Sequence, residues 1–198
     1  MKKKHKEIQI SCVGDTLVGK TCLLNSFFKI EDLLPLATIG IEKYKSIITL
    51  ENGTKFKLII WDTAGVERFR KPTLYILRKS GIIIAFDLTK RETFKNVTNW
   101  LKMIKEINNC PIALFGTKCD LKEKREISKE EAEEFAENNE MSYFETSAVE
   151  NINIEEGITT IANDAYEYMF NIKNRNKNKN KNKKKILKFN KLIKFLNY

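Results

Sequence analysis

The sequence predicts a doubly wound α/β sheet of six strands, five parallel and one antiparallel at an edge, flanked by about five helices. Three observations predict it. Short apolar runs alternate with helical periods, a glycine-bearing loop joins the first run to the first helix, and an Asn-Gly pair separates the second run from the third.

Glu7 to Val13 is a short apolar strand that runs straight into Gly14-Asp-Thr-Leu-Val-Gly-Lys-Thr21 and a helical stretch ending near Phe28. Residues 41–50 and 55–61 are β-rich and flank Glu51-Asn-Gly-Thr54, a hairpin signal that makes one strand antiparallel. Residues 81–87, 111–116 and 141–144 are apolar runs of the kind buried on both faces of a sheet. Helical periods lie between and after them: Phe94, Val97, Leu101 and Ile104; Ala132, Phe135 and Ala136 behind a capping box of Ser128 and Glu131; and Ile154, Ile158, Ile161 and Ala165. In such a sheet a ligand is expected at the carboxyl ends of the strands.

A chain of 198 residues supports one sizeable core and a tail. All 26 acidic residues precede residue 171, together with 25 of the 36 basic ones, so residues 1–170 carry −1 and the formal +10 belongs to residues 171–198. The division expected is a globular domain over 1–170 and an Asn/Lys-rich linker with a basic tail over 171–198. A near-neutral domain removes the main support for DNA binding. Cys12, Cys22, Cys110 and Cys119 are scattered, and with His5 as the single histidine they fit reduced cytosolic thiols better than zinc or disulfides. The basic start lacks the apolar run of a signal peptide, and no apolar stretch reaches the ~18 residues of a membrane span.

The run Gly14 to Thr21 matches GxxxxGK[ST] between a strand and a helix, where backbone N–H groups and the helix N-terminus can surround phosphates. There Lys20 would reach the β- and γ-phosphates and the Thr21 hydroxyl would bind Mg²⁺. Asp62 closes a strand and opens Asp62-Thr-Ala-Gly65, supplying a carboxylate near the metal and, at Gly65, a backbone N–H able to approach the γ-phosphate.

Trp61-Asp-Thr-Ala-Gly65, Glu67-Arg-Phe-Arg70 and Thr38-Ile-Gly-Ile41 together resemble the switch segments of Ras-superfamily small GTPases, Rab proteins above all. The resemblance covers about residues 7–170. It implies that Thr38 coordinates Mg²⁺ and contacts the γ-phosphate only in the GTP state, releasing its loop on hydrolysis. Metal ligation would thus fall to Thr21, Thr38 and Asp62, and catalysis to Lys20, Thr38, Gly65 and the position of Val66. The nucleotide would be lined by Asp15, Thr16, Leu17, Val18, Gly19, Lys20, Thr21 and Cys22, then by Thr117, Lys118, Asp120 and Leu121, and by Ser147, Ala148 and Val149.

Base selection would belong to Thr117-Lys-Cys-Asp120. A carboxylate at Asp120 accepts from guanine N1–H and the 2-amino group together, a donor pair that adenine lacks. Lys118 would lay its stem along the base, and Glu145-Thr-Ser-Ala148 resembles the loop whose Ser147 and Ala148 backbone reaches the guanine.

Several positions depart from the family pattern. Thr117 replaces the asparagine of NKxD, although Rho-type relatives are similar in using TKxD, and Val149 replaces a lysine whose stem stacks on the base; loosened nucleotide affinity is the expectation. Leu17 stands where relatives carry a small residue, tolerated at the rim or obstructing an arginine finger. Residues 30–37 contain no aromatic side chain to lie on the guanine; Leu33 is a weaker apolar lid, and Phe28 is expected in the core. Val66 occupies the place of the glutamine that orients the attacking water, and losing that hydrogen bond costs roughly one to two powers of ten in rate. Slow hydrolysis is expected, or a partner supplies the missing group while Val66 packs against the next helix.

The resemblance implies a monomeric GTP/GDP switch in vesicle trafficking that meets effectors, an exchange factor and an activating protein through Thr38–Ile41 and Val66–Tyr75. A non-hydrolysing nucleotide-bound scaffold is the alternative. The chain ends Lys194-Phe-Leu-Asn-Tyr198 with no cysteine, so prenylation by the family's route is not expected. In the tail Ile186, Phe189, Leu192, Ile193 and Leu196 share a helical face opposite Lys184, Lys191 and Lys194. That pattern suits an anionic membrane surface, and equally compositional drift, with RNA binding a weaker third reading. The expected location is the cytoplasm and the cytoplasmic face of endomembranes.

Overall fold

The computed structural model describes residues 7–30, 40–50, 53–63, 75 and 77–171. Thr38, Gly65, Val66, Asn52 of the hairpin signal and the tail lie outside the described residues.

The strands are β1 (Glu7–Val13), β2 (Ile41–Thr49), β3 (Lys55–Thr63), β4 (Gly81–Asp87), β5 (Ile112–Thr117) and β6 (Ser142–Thr146). They form one sheet in the order β2-β3-β1-β4-β5-β6. Only the β2–β3 pair is antiparallel, with β2 at the edge, as the sequence predicts. β3 runs two residues past the predicted Trp61, and its ladder with β2 continues to Thr63 opposite Ile41.

Four long helices stand among the described residues, α1 (Lys20–Phe28), α2 (Arg91–Ile107), α3 (Lys129–Asn138) and α4 over 154–171, besides a 3-10 turn at Lys122–Lys124 and the helical residues Tyr75 and Leu77. Every residue of β4 is buried, because its side chains alternate between two cores. Ile83 joins Ile10, Leu24, Phe115, Ile158 and Ile161 under α1 and α4, whereas Ile82, Ile84 and Phe86 join Phe94, Val97, Leu101 and Ala132 under α2 and α3. On α2 the buried set is Phe94, Val97, Trp100, Leu101 and Ile104, a single stripe at helical spacing. Phe28 packs 5.2 Å from the Tyr44 ring against the first core, as expected of a core residue.

The capping box at α3 forms by half. Ser128 Oγ accepts from the Glu131 N–H (3.1 Å), but the Glu131 carboxylate is taken by both guanidinium nitrogens of Arg91 (2.7 and 2.9 Å). A fork–fork pair outcompetes the return bond of the box, and it ties the start of α2 to the start of α3. Among the described residues no helix is long and apolar enough to cross a membrane.

β1 and β4 are neighbours, and the chain must turn at the end of β1 hard against β4. At Gly14, with φ of 140°, an added Cβ would stand 2.1 Å from the Ala85 carbonyl oxygen. Gly14→Ala is therefore expected to lower stability by about 3 kcal/mol or more through backbone strain and overlap together, read as a shift of the urea unfolding midpoint.

Candidate nucleotide-binding site

Sequence places Gly14 to Gly19 between a buried strand and a buried helix, so their backbone must curl through unusual dihedrals. Gly14, Leu17 and Gly19 all have positive φ (140°, 63° and 97°). For Gly19 and Gly14 this costs little, whereas Leu17 adopts the left-handed conformation with a side chain that is 66% exposed. α1 then begins at Lys20 with no side-chain cap on its N-terminal amides, leaving the helix start directed at the loop's mouth.

Lys20 is buried, and its Nζ donates to the carbonyls of Gly14 (2.9 Å) and Asp15 (2.6 Å) across the loop. At the next residue, Thr21 Oγ1 donates to Asp62 Oδ2 at 2.5 Å, which joins α1 to the end of β3. Burial pushes the Asp62 carboxyl above its ordinary value of 3.8, against the opposing pull of the Thr21 hydroxyl and the Lys20 charge. Thr63 Oγ1 donates to the Cys12 carbonyl (3.0 Å) and holds this end of β3 on β1.

The loop after β5 reaches the same place from the other side. Thr117 is buried, and its single hydroxyl proton is shared between the carbonyls of Val18 (2.5 Å) and Phe86 (2.9 Å). Lys118, itself at φ of 63°, donates through Nζ to the Leu17 carbonyl (3.2 Å) and to Asp87 Oδ2 (2.5 Å). Asp87 ends β4 fully buried; burial raises its carboxyl, but the bonds from Lys118 and from the Thr89 N–H and hydroxyl outweigh that and hold it below the usual range. The Cys119 N–H donates to the Thr146 carbonyl (3.1 Å), bringing the half-buried Asp120 beside the buried Ser147 and the partly buried Ala148. Leu121 and Val149 are exposed at the rim, Val149 almost fully.

The structure therefore brings together Asp15 to Cys22, Asp62, Thr117, Lys118, Asp120, Ser147 and Ala148 from four separate stretches of chain. Thr38, Gly65 and Val66 are outside the described residues. Sequence reasoning missed a supporting set. Asp15 presents its carboxylate to Asn96 Nδ2 (2.7 Å) and Trp100 Nε1 (3.0 Å) on α2, which turns that charge away from the loop's mouth. Arg125 pairs with Glu145 through both guanidinium nitrogens and donates to the Ile127 carbonyl, clasping the loop after Asp120 to β6. Asp87 had a usable signal, a carboxylate at the carboxyl end of a buried strand. Arg125 and Glu145 are 20 residues apart and had none.

A mainly parallel sheet with one antiparallel edge strand, the phosphate-type loop after β1 and a TKxD segment at the end of β5 define a small P-loop GTPase. The Ras family model matches residues 9–167. Ras-related protein Rab-13 from Rattus norvegicus is 38% identical over 156 residues, 77% of this chain and 76% of its own. Rab-39A from Homo sapiens is 38% identical over 170 residues, covering 81% and 78%, and Rab-8 from Diplobatis ommata is 42% identical over 158 residues, covering 77% and 74%. The chain belongs to the Ras family and is a Rab-like small GTPase.

Two substitutions test the geometry. Thr117→Val keeps the shape but strips the shared proton from two buried carbonyls, so about 1–3 kcal/mol of stability should be lost, with faster release of fluorescent GDP. Asp62→Asn should stabilise the nucleotide-free chain at neutral pH. A carboxyl whose folded pKa is raised favours folding most below its ordinary value of 3.8 and loses that contribution as pH rises through the folded value. The urea-stability difference should therefore favour the asparagine form increasingly from acid to neutral pH.

Proposed function

We propose that this chain is a GTP/GDP switch of the Rab type acting in vesicle trafficking, with slow intrinsic hydrolysis. The observation that carries the reading is the meeting of the Thr21–Asp62 pair, Lys20 and the Thr117-Lys118 clasp at one mouth.

In this reading the loop amides and the Lys20 ammonium hold the β- and γ-phosphates. Lys20 exchanges its bonds to the Gly14 and Asp15 carbonyls for phosphate oxygens, a trade of neutral for charge-assisted acceptors. Asp120 selects guanine, Lys118 lies along the base, and the Ser147 and Ala148 backbone closes its far side. The Thr117 hydroxyl reaches the Val18 carbonyl, so the departure from asparagine leaves a tie between base loop and phosphate loop.

The residues fit Mg²⁺. Thr21 Oγ1 and Asp62 Oδ2 are hard oxygens at 2.5 Å, and a divalent cation would offset the burial that raises the Asp62 carboxyl. Thr21 and Asp62, with Thr38 in the GTP state, would hold it, and it would neutralise charge on the β- and γ-phosphates. The Val66 isopropyl group neither donates nor accepts a hydrogen bond, so the attacking water lacks its positioner and the GTP state is long-lived.

Partners would engage Thr38–Ile41 and Val66–Tyr75. Residues 1–170 form the switch, and the basic amphipathic tail supports attachment to anionic endomembranes.

Protein purified without added ligand should carry guanine rather than adenine nucleotide. In single-turnover assays Val66→Gln should speed phosphate release about 10- to 100-fold. An unchanged rate favours the non-hydrolysing scaffold, and bound adenine nucleotide rejects the switch altogether.

A further inference from the structure

Away from the nucleotide site, the outer face of the β2–β3 hairpin gathers cations on two aromatic rings. The antiparallel register sets Lys43 opposite Trp61 and Lys45 opposite Ile59, so both lysines share the Trp61 face while Tyr44 between them is buried on the other. Lys43 Nζ lies 4.3 Å from the Trp61 ring centroid. Lys79 Nζ, from the turn before β4, lies 4.3 Å from the same ring and 3.7 Å from that of Tyr75. Tyr75 meets Trp61 edge-on at 5.6 Å and is 61% exposed.

A groove of about 700 Å³ continues from the Tyr75 ring, lined by Gln9, Tyr75, Arg78, Lys79, Asn108 and Tyr168. Its acid, Glu7, is bound by Lys57 at 2.9 Å and is held below the usual carboxylate range by Lys57 first and Lys43 after it. Glu42 lies on the Tyr44 side of the strand, 3.4 Å from the Tyr44 hydroxyl. Lys43, Lys45 and Arg78 are exposed. A local excess of cations has thus formed in a domain whose net charge is −1, and it surrounds exposed aromatic surface. Among the described residues the buried Trp61 Nε1 has no hydrogen-bond acceptor.

We propose that this face is the docking surface for an acidic segment of a partner protein. An apolar side chain of that segment seats on Tyr75 and Trp61, and flanking carboxylates meet Lys43, Lys45 and Arg78. The proposal rests on the reading of the neighbouring Val66–Tyr75 stretch as a partner-binding segment, and it names that partner's chemistry. Rings bearing cations offer an apolar platform with charge at its rim, the arrangement that gives a hot spot and its orientation. A carboxylate adds charge-assisted hydrogen bonds to ammonium groups already held in place. A wholly apolar partner would strip water from Lys43 without replacing it, and a basic one, this chain's own lysine tail included, would be repelled.

The test is selection from a random peptide display library on the full chain loaded with a non-hydrolysable GTP analogue. The expected consensus is an aromatic or leucine residue flanked by Asp or Glu. Affinity of the selected peptide should fall at least about tenfold with Lys43→Glu, and also with Lys45→Glu, a second variant at an exposed edge position, and should weaken with salt. A basic or purely apolar consensus, no consensus, or affinity indifferent to both variants overturns the proposal. So does loss of phosphatidylserine-vesicle co-sedimentation in these variants with peptide affinity intact, which would make the face a lipid surface. Nucleotide affinity measured on the same preparations separates the two readings. A chain that selects acidic peptides but binds no guanine nucleotide rejects the switch and keeps the docking face; one that binds nucleotide but selects none does the reverse.

Discussion

One buried hydroxyl proton, shared by Thr117 between the carbonyls of Val18 and Phe86, is the interaction on which the site depends. It joins three stretches that the sequence keeps far apart: the loop after β1, the end of β4 and the loop after β5. Water does not reach it, so each carbonyl left without that donor would carry its full desolvation cost. The clasp of Lys118 on Leu17 and Asp87 runs beside it and repeats the same connection with charge. The loop after β1 and the loop after β5 are thereby fastened together.

That rigidity has work to do, because the site holds features that a freely folding chain would avoid. Leu17 sits in a left-handed conformation, Lys118 does the same, and a carboxyl at Asp62 is buried against its solvation preference. Strain and desolvation of this kind persist only where the surroundings over-determine them. A ligand that relieves them binds the folded form alone and so stabilises it by mass action. The side-chain bonds of Asp15 to α2 fit the same scheme, since an unscreened carboxylate at the loop's mouth would repel phosphate.

The proposed docking face lies on the edge hairpin. An edge strand is a hazard unless it is charged, and β2 carries Lys43 and Lys45 on its outer face. The same lysines protect the edge from sheet pairing, and Lys43 with Lys79 sets positive charge on the Trp61 ring, Lys79 also on that of Tyr75. At 38–42% identity to Rab proteins, the chain has room to keep the family's nucleotide chemistry while changing the character of its contact face.

The order and type of the elements were legible in the sequence because they depend on short-range patterning. Period-two apolar runs, one helical stripe per helix and the glycines of one loop are local properties, and the strands fell within two residues of their predicted limits. The nearness of Thr21 to Asp62 followed from the motif and the family resemblance together, whereas the bonds of Lys20 to the Gly14 and Asp15 carbonyls did not. Only the tertiary structure decided what Thr117 and Lys118 bind, that Arg91 draws Glu131 out of its capping box, that Arg125 finds Glu145, and that two lysines from different strands and turns converge on one indole. Each is a contact between residues distant in the chain. Such contacts are set by strand order and register, and a linear pattern of residue types carries no coordinate for them.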